Sequence, residues 1–195
     1  VSLAGGSIGG KGRGLVFINA LIHNFDFEIF ASQINIRTPV TLIIGTDAFE
    51  AFIKRNKLSE TAIHSDIGYD ELRKIFSRSR LPESLLKKLR LLASKLNRPV
   101  AVRSSSLSED SQNQPLAGVF DTFVIPDTED KNLLASRLAQ AIKLVYASLY
   151  SDSARRYFRA IHRKVEEERM AIVIQELVGN RYGDYYYPHI SGVAQ

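Results

Sequence analysis

The sequence predicts an α+β fold on two observations. Several stretches repeat apolar residues at helical spacing, and several shorter ones are runs of β-branched residues closed by Gly or Pro. With 195 residues, 45% of them hydrophobic and 24% charged, the chain is long enough to bury a core in one or two domains.

Taken in order, residues 14 to 31 read as an amphipathic helix, because Leu15, Ile18, Ile22 and Phe25 recur at helical spacing. Ile34 to Ile44 reads as extended, from its β-branched residues and Pro39. Gly45 ends that segment, and Thr46 is suited to cap a short helix over Ala48 to Arg55 with Phe49, Phe52 and Ile53. Asp70 to Arg78 reads as another short helix. Pro82 opens a helix in which Leu85, Leu89, Leu92 and Leu96 form one core-facing stripe, closed by Asn97. A strand from Val100 then delivers Arg103 at its end, and Phe123 to Ile125 is a second strand stopped by Pro126. A helix follows through Leu134, Leu138, Ile142, Val145 and Leu149. A break at Ser151-Asp152-Ser153 leads into a basic helix with Tyr157, Phe158 and Ile161. Met170 to Leu177 is a strongly apolar strand. Gly179 to His189 contains Tyr185-Tyr186-Tyr187 and reads either as an aromatic β-hairpin or as an exposed contact surface.

Composition narrows the function classes. No apolar run approaches the roughly 20 residues that span a bilayer, so no membrane segment is expected. The start lacks a secretory signal, and the absence of Cys fits a reducing cytoplasm and removes thiolate metal sites. The four His residues have no ligand-like spacing, so no metal centre is expected from them. The net charge of +5 invites a nucleic-acid reading, but the cations scatter over the polar faces of helices and argue against it. The chain does not begin with Met and reaches Gln195 inside a strand-like pattern, which reads as a piece of a longer protein.

Two segments suggest an anion site. Gly5 to Gly14 is glycine-rich around Lys11 and leads into a helix, so its backbone can approach a phosphate closely. Its spacing fits the start of a P-loop, but Gly12 stands where Ser or Thr should hold Mg²⁺, and no strand precedes it. A P-loop is therefore rejected. The second segment delivers Arg103 beside Ser104, Ser105 and Ser106, a forked cation next to hydroxyl and N–H donors. Lys11 and Arg103 are the cations placed beside small, phosphate-compatible backbone.

The two segments together resemble the nucleotide-binding domain of the phosphoenolpyruvate synthase and pyruvate phosphate dikinase family. The matching pieces are Gly9-Gly10-Lys11-Gly12 with Leu15, then Val102 to Ser106 with Glu109-Asp110, then Ala117-Gly118 with Asp121-Thr122-Phe123. Met170 to Gln175 with Val178, and Ser191-Gly192-Val193-Ala194, complete the set in the family's order. The resemblance implies a divergent ATP-grasp-like fold, truncated here before the second half of the ATP site, with lobes at 1–98 and 99–195. It implies that Lys11 reaches the phosphates of ATP from the turn at Gly9 and Gly10, and that Arg103 neutralises charge during transfer. Ser104 and Thr122 are implied hydroxyl donors, although a Ser in a loop can equally bond its own backbone. Gln175, Glu176, Leu177 and Val178 are implied to form the hinge that meets adenine, with Glu176 toward the ribose or simply exposed. The implied Mg²⁺ ligands lie beyond Gln195, as do the phosphohistidine and acceptor-binding domains.

That resemblance points to the ATP-binding portion of a phosphotransferase, a dikinase-type kinase that passes a phosphoryl group to a His on another domain. This chain by itself is then expected to be inactive. The alternative is a non-catalytic nucleotide-sensing or interaction module with the same fold. Which of the two holds is decided by residues outside this window.

Overall fold

The computed structural model describes residues 2–25, 35–60, 67–107 and 118–192. Seven strands and six α-helices are described below. The strands are β1 (Ser2–Ala4), β2 (Thr41–Ile44), β3 (Val100–Ser106), β4 (Thr122–Ile125), β5 (Met170–Glu176), β6 (Asn180–Tyr182) and β7 (Tyr185–Tyr187). The helices are α1 (Gly9–Asn24), α2 (Thr46–Arg55), α3 (Tyr69–Arg78), α4 (Glu83–Lys95), α5 (Lys131–Ser148) and α6 (Asp152–Ala160).

The main sheet runs in the order β1-β2-β5-β3-β4. Only β1 and β2 are parallel; β2–β5, β5–β3 and β3–β4 are antiparallel. Strands from both sides of the 98/99 boundary are interleaved in this one sheet.

Alternation assigns the two faces. Val100 and Val102 of β3, Ile172 and Ile174 of β5, and Ile44 of β2 join one buried cluster with α2, α3, α4 and α5. Its aromatic centre stacks Phe52 edge-on against Phe76 and close to Tyr146, with ring centroids 5.7 and 5.6 Å away. The leucine stripe of α4 sits here as expected, with Leu85, Leu89, Leu92 and Leu96 all buried. On the opposite face, Ile43, Ala171 and Val173 are buried without joining that cluster. Helix α1 lies there, with Gly12 close to Ile43.

Several local expectations need correction. The helix read from residue 14 starts at Gly9, so the glycine turn is its first turn. A strand does precede that turn, β1 at Ser2–Ala4, contrary to expectation, so the case against a P-loop rests on Gly12 alone. Its expected end at 26 to 31, and the start of the extended segment at Ile34, lie outside the described residues. Most of the apolar side chains of α1 are not core: Val16, Phe17, Ile18 and Leu21 are exposed. The extended segment forms a ladder only over Thr41–Ile44. Thr46 is not the cap of α2 but its first residue; its Oγ1 accepts the Ser7 N–H at 3.0 Å instead. Strand β3 does not end at Arg103 but continues through Ser106, because β5 pairs it along its whole length, from Val100↔Glu176 to Ser106↔Met170.

The tyrosine segment forms a separate two-stranded hairpin, with Gly183 in the turn at φ 61°, a conformation that hairpin turns ask of glycine. Tyr182 and Tyr187 stack at 4.6 Å, and Tyr182 Oη bonds His189 Nε2 at 2.8 Å. Tyr185 stays 73% exposed, so aromatic packing and exposure coexist here.

Candidate nucleotide site

The candidate site forms on the α1 face of the sheet. Ser105 establishes that side: its hydroxyl donates to Ile8 O at 2.8 Å and accepts the Gly12 N–H at 3.0 Å. Arg103 lies two residues earlier on the same strand and so points to the same face. It is half-buried, opposite Thr122 on β4 and Val173 on β5. Thr122 and Val124 share that face at the sheet edge, and both are exposed. Gln175 shares it too, and its Nε2 donates to Thr41 Oγ1 at 3.0 Å. Lys11, in the first turn of α1, is half-buried beside the Ser105 anchor. The structure thus puts Arg103, Thr122 and Gln175 on one face and brings the α1 turn that carries Lys11 against Ser105 on that face.

The glycines have local reasons of their own. Gly9 takes φ 68°, and a Cβ there would overlap the Ser105 carbonyl. A Cβ at Gly6 would collide with Asp47 at the start of α2, where Asp47 N donates to Gly5 O at 3.2 Å. Gly5 and Gly6 therefore serve packing against α2, whereas Gly9, Gly10 and Gly12 bring α1 down onto the sheet. Gly10 is fully within that buried first turn.

Two of the expected residues fall on the wrong face. Ser104 is buried on the helix-packed side with Val102, because alternation turns it away from Arg103. Glu176 pairs in register with Val100 and so also faces the core side, half-buried at the strand end. The hinge main chain is partly engaged as well. Glu176 N donates to Val40 O at 3.0 Å, Leu177 N donates to Pro99 O at 2.9 Å, and Tyr186 Oη donates to Leu177 O at 3.3 Å. Val178 follows with 63% of its surface exposed. Glu109, Asp110, Ala117, Val193 and Ala194 lie outside the described residues.

A cleft of about 340 Å³ opens between α1 and β2 on this same face. It is lined by Leu15, Val16, Pro39, Val40 and Ile43, with Asn19, Thr38 and Thr41 as polar groups. An apolar slot with a few polar groups has the character of a small-molecule site.

Sequence reasoning read Ser105 only as one of three hydroxyls beside Arg103, not as the anchor of α1, and it missed the support under Thr122. Tyr69 Oη donates to Asp121 Oδ2 at 3.3 Å, tying α3 to the start of β4. Burial, followed by the Asp121 charge, pushes the Tyr69 hydroxyl well above its ordinary pKa, so it remains a donor. No one-dimensional signal reports that pair, since 52 residues separate the partners. For Ser105 a signal existed: most buried serines in a strand find a partner, although the neighbouring Ser106 hydroxyl has none among the described residues.

Among the described residues, no three His, Cys, Asp or Glu side chains are gathered as a metal centre. The chain's own donors in the site are cationic and neutral, which suits phosphate oxygens rather than a cation. No helix among the described residues is long and apolar enough to cross a membrane.

Residues 6–195 match the family model described as pyruvate phosphate dikinase, AMP/ATP-binding domain. The chain is 31% identical over 148 residues to an uncharacterized phosphotransferase, YvkC, of Bacillus subtilis. That match covers 72% of this chain and 16% of the relative. It is 28% identical over 180 residues to a phosphoenolpyruvate synthase of Deinococcus radiodurans, covering 84% of this chain and 21% of the relative. The chain thus spans about a fifth or less of the length of these curated relatives. It belongs to the pyruvate phosphate dikinase AMP/ATP-binding domain family.

Proposed function

We propose that this chain forms the first part of the ATP site of a dikinase-type phosphotransferase. In that reading, phosphoryl transfer runs from ATP to a His on another domain of the same protein. The observation that supports it most is that Arg103 and Thr122 share the sheet face on which the α1 turn carrying Lys11 is anchored, beside an apolar cleft.

Within this reading, each residue acts through its own chemistry. ATP brings several negative charges, which must be neutralised and held in line for transfer. Arg103 offers a planar fork of donors to phosphate oxygens, and Lys11 a compact charge from the α1 turn. Thr122 adds a hydroxyl from the edge strand. The base takes the apolar side of the site, with Val178 and the cleft between α1 and β2 as its surroundings. Glu176 has no part in ribose binding in this version, because it faces the core side. The second half of the site, in an ATP-grasp-like arrangement, closes over ATP from sequence beyond Gln195. Mg²⁺ bound there would shield the phosphate charges. The protein acts in the cytoplasm.

The test is Arg103→Ala in the full-length protein. Losing a charge-assisted phosphate contact should cost about 2–4 kcal/mol of transition-state stabilisation, read as the rate of ATP consumption. An unchanged rate would remove Arg103 from the site. Calorimetric titration of the 195-residue chain with Mg-ATP separates the half-site reading from a complete one. Millimolar affinity, about 4 kcal/mol, is expected. Tight binding with turnover would mean that these residues alone complete the site.

A further inference from the structure

We infer that Ser105 is a positioning residue that fixes Lys11 relative to Arg103; the inference rests on the nucleotide reading above. Ser105 is fully buried, so it touches no ligand itself. Its hydroxyl stands between two main-chain groups of α1: it accepts from Gly12 N and donates to Ile8 O. Residues 12 and 8 are an i→i−4 pair, the first such pair of the helix. A side chain from the sheet is therefore stitched into the first turn of α1. A hydroxyl suits this place because it donates once and still accepts, so it can stand between the first N–H donor and C=O acceptor that the helix would otherwise pair directly.

Two further features make the stitch specific. Gly9 holds φ 68° with its α-carbon against the Ser105 carbonyl, so the helix start grips the serine through both main chain and side chain. Lys11 is flanked by Gly10 and Gly12 in that same turn. Arg103 stands two residues before Ser105 on the same face, about 7 Å along the strand. Ser105 is thus a shared reference point for both cations. Without its hydroxyl, Gly12 N–H and Ile8 C=O are left to close on each other. The first turn then tightens and carries Lys11 with it, and a displacement of about 1 Å is enough to cost much of a phosphate contact.

The experiment is a double-mutant cycle on ATP affinity in the full-length protein, measured by calorimetry with Lys11→Ala, Ser105→Ala and the pair. Each single variant should weaken ATP by about tenfold, and the pair by little more than either one, because both act on the same contact. A purely structural serine gives a different result: the pair weakens ATP by the product, about a hundredfold, and the inference is overturned. Unchanged affinity of a cooperatively melting Ser105→Ala also overturns it. If Lys11→Ala alone leaves affinity unchanged, the nucleotide reading of Lys11 fails, and this inference fails with it. A strong Lys11→Ala effect in an additive cycle sinks only the inference. Should Ser105→Ala not fold, Ser105→Cys supplies the cycle, since it keeps the buried volume and weakens the two hydrogen bonds.

Discussion

The two faces of the main sheet are built from the same strands and do opposite jobs. On one, Val100, Val102, Ile172 and Ile174 meet four helices and vanish from solvent. On the other, among the described residues, one helix with three buried glycines lies over Ile43, Ala171 and Val173, with Arg103 half-buried and Thr122 and Val124 exposed at the edge strand. The difference comes from side-chain size at the helix contact. Glycines bring α1 close without filling space, so its neighbour on the sheet can carry polar groups. One residue of offset along β3 therefore separates a core position from one on the face of the proposed site.

The comparison breaks first at Phe52. It is fully buried against Phe76 and Tyr146, and Phe52→Ala should remove about 3–5 kcal/mol of stability. Urea unfolding measures it; a loss below about 1 kcal/mol would mean the helix-packed face is not the main core. Arg103→Ala is the opposite case. The same unfolding experiment should move by less than about 1 kcal/mol, while ATP consumption falls as proposed above. A variant that loses both together would show that the α1 face also holds the fold.

Gly9→Ala probes the seam between the faces. The left-handed backbone alone costs about 1–2 kcal/mol, and the overlap with Ser105 adds to it. Thermal melting should show the loss, and ATP affinity should fall with it because the turn holding Lys11 must shift.

The smallest effect is expected at Tyr146. Its hydroxyl is buried with no hydrogen-bond partner among the described residues. Tyr146→Phe should leave stability unchanged or raise it by about 1 kcal/mol at neutral pH. Burial raises the Tyr146 hydroxyl above its ordinary pKa and pushes Tyr150 up to about 12. Above pH 10 the unfolded chain gives up these protons while the folded chain keeps them. Stability is therefore full below that pH and falls as pH rises toward and past 12. Urea midpoints at pH 7 and pH 11 should diverge less in Tyr146→Phe than in the parent chain; equal divergence would rule out Tyr146 as a source.

Much of the helix-packed face was legible in the sequence, because period and apolarity report burial directly. The leucine stripe of α4, the apolar series of α5 and the run from Met170 needed no tertiary knowledge. The α1 face was legible in composition but not in shape. Glycine has poor helix propensity, so the start at Gly9 is hidden until Ser105 and the sheet support it. Serine is no strand former, so β3 was cut short at Arg103, and that one error sent Ser104 to the wrong side. The pairing with β5 decides the issue, and it lies some 70 residues downstream of β3. The roles proposed for Lys11 and Arg103 started from local chemistry, a cation beside small backbone, and took their assignment to ATP from order and resemblance.

The strand order also governs when the sheet can exist. β5 lies between β2 and β3, and the side-chain bond from Gln175 to Thr41 closes a separation of 134 residues. At synthesis rates of about 5–20 residues per second, β2 leaves the ribosome roughly 10 s before its central neighbour arrives. Until then its inner edge and that of β3 carry unpaired main-chain groups, which is the state most open to wrong partners. The stretch from residue 45 to 170 is therefore the interval of synthesis in which these two edges are most exposed to mispairing.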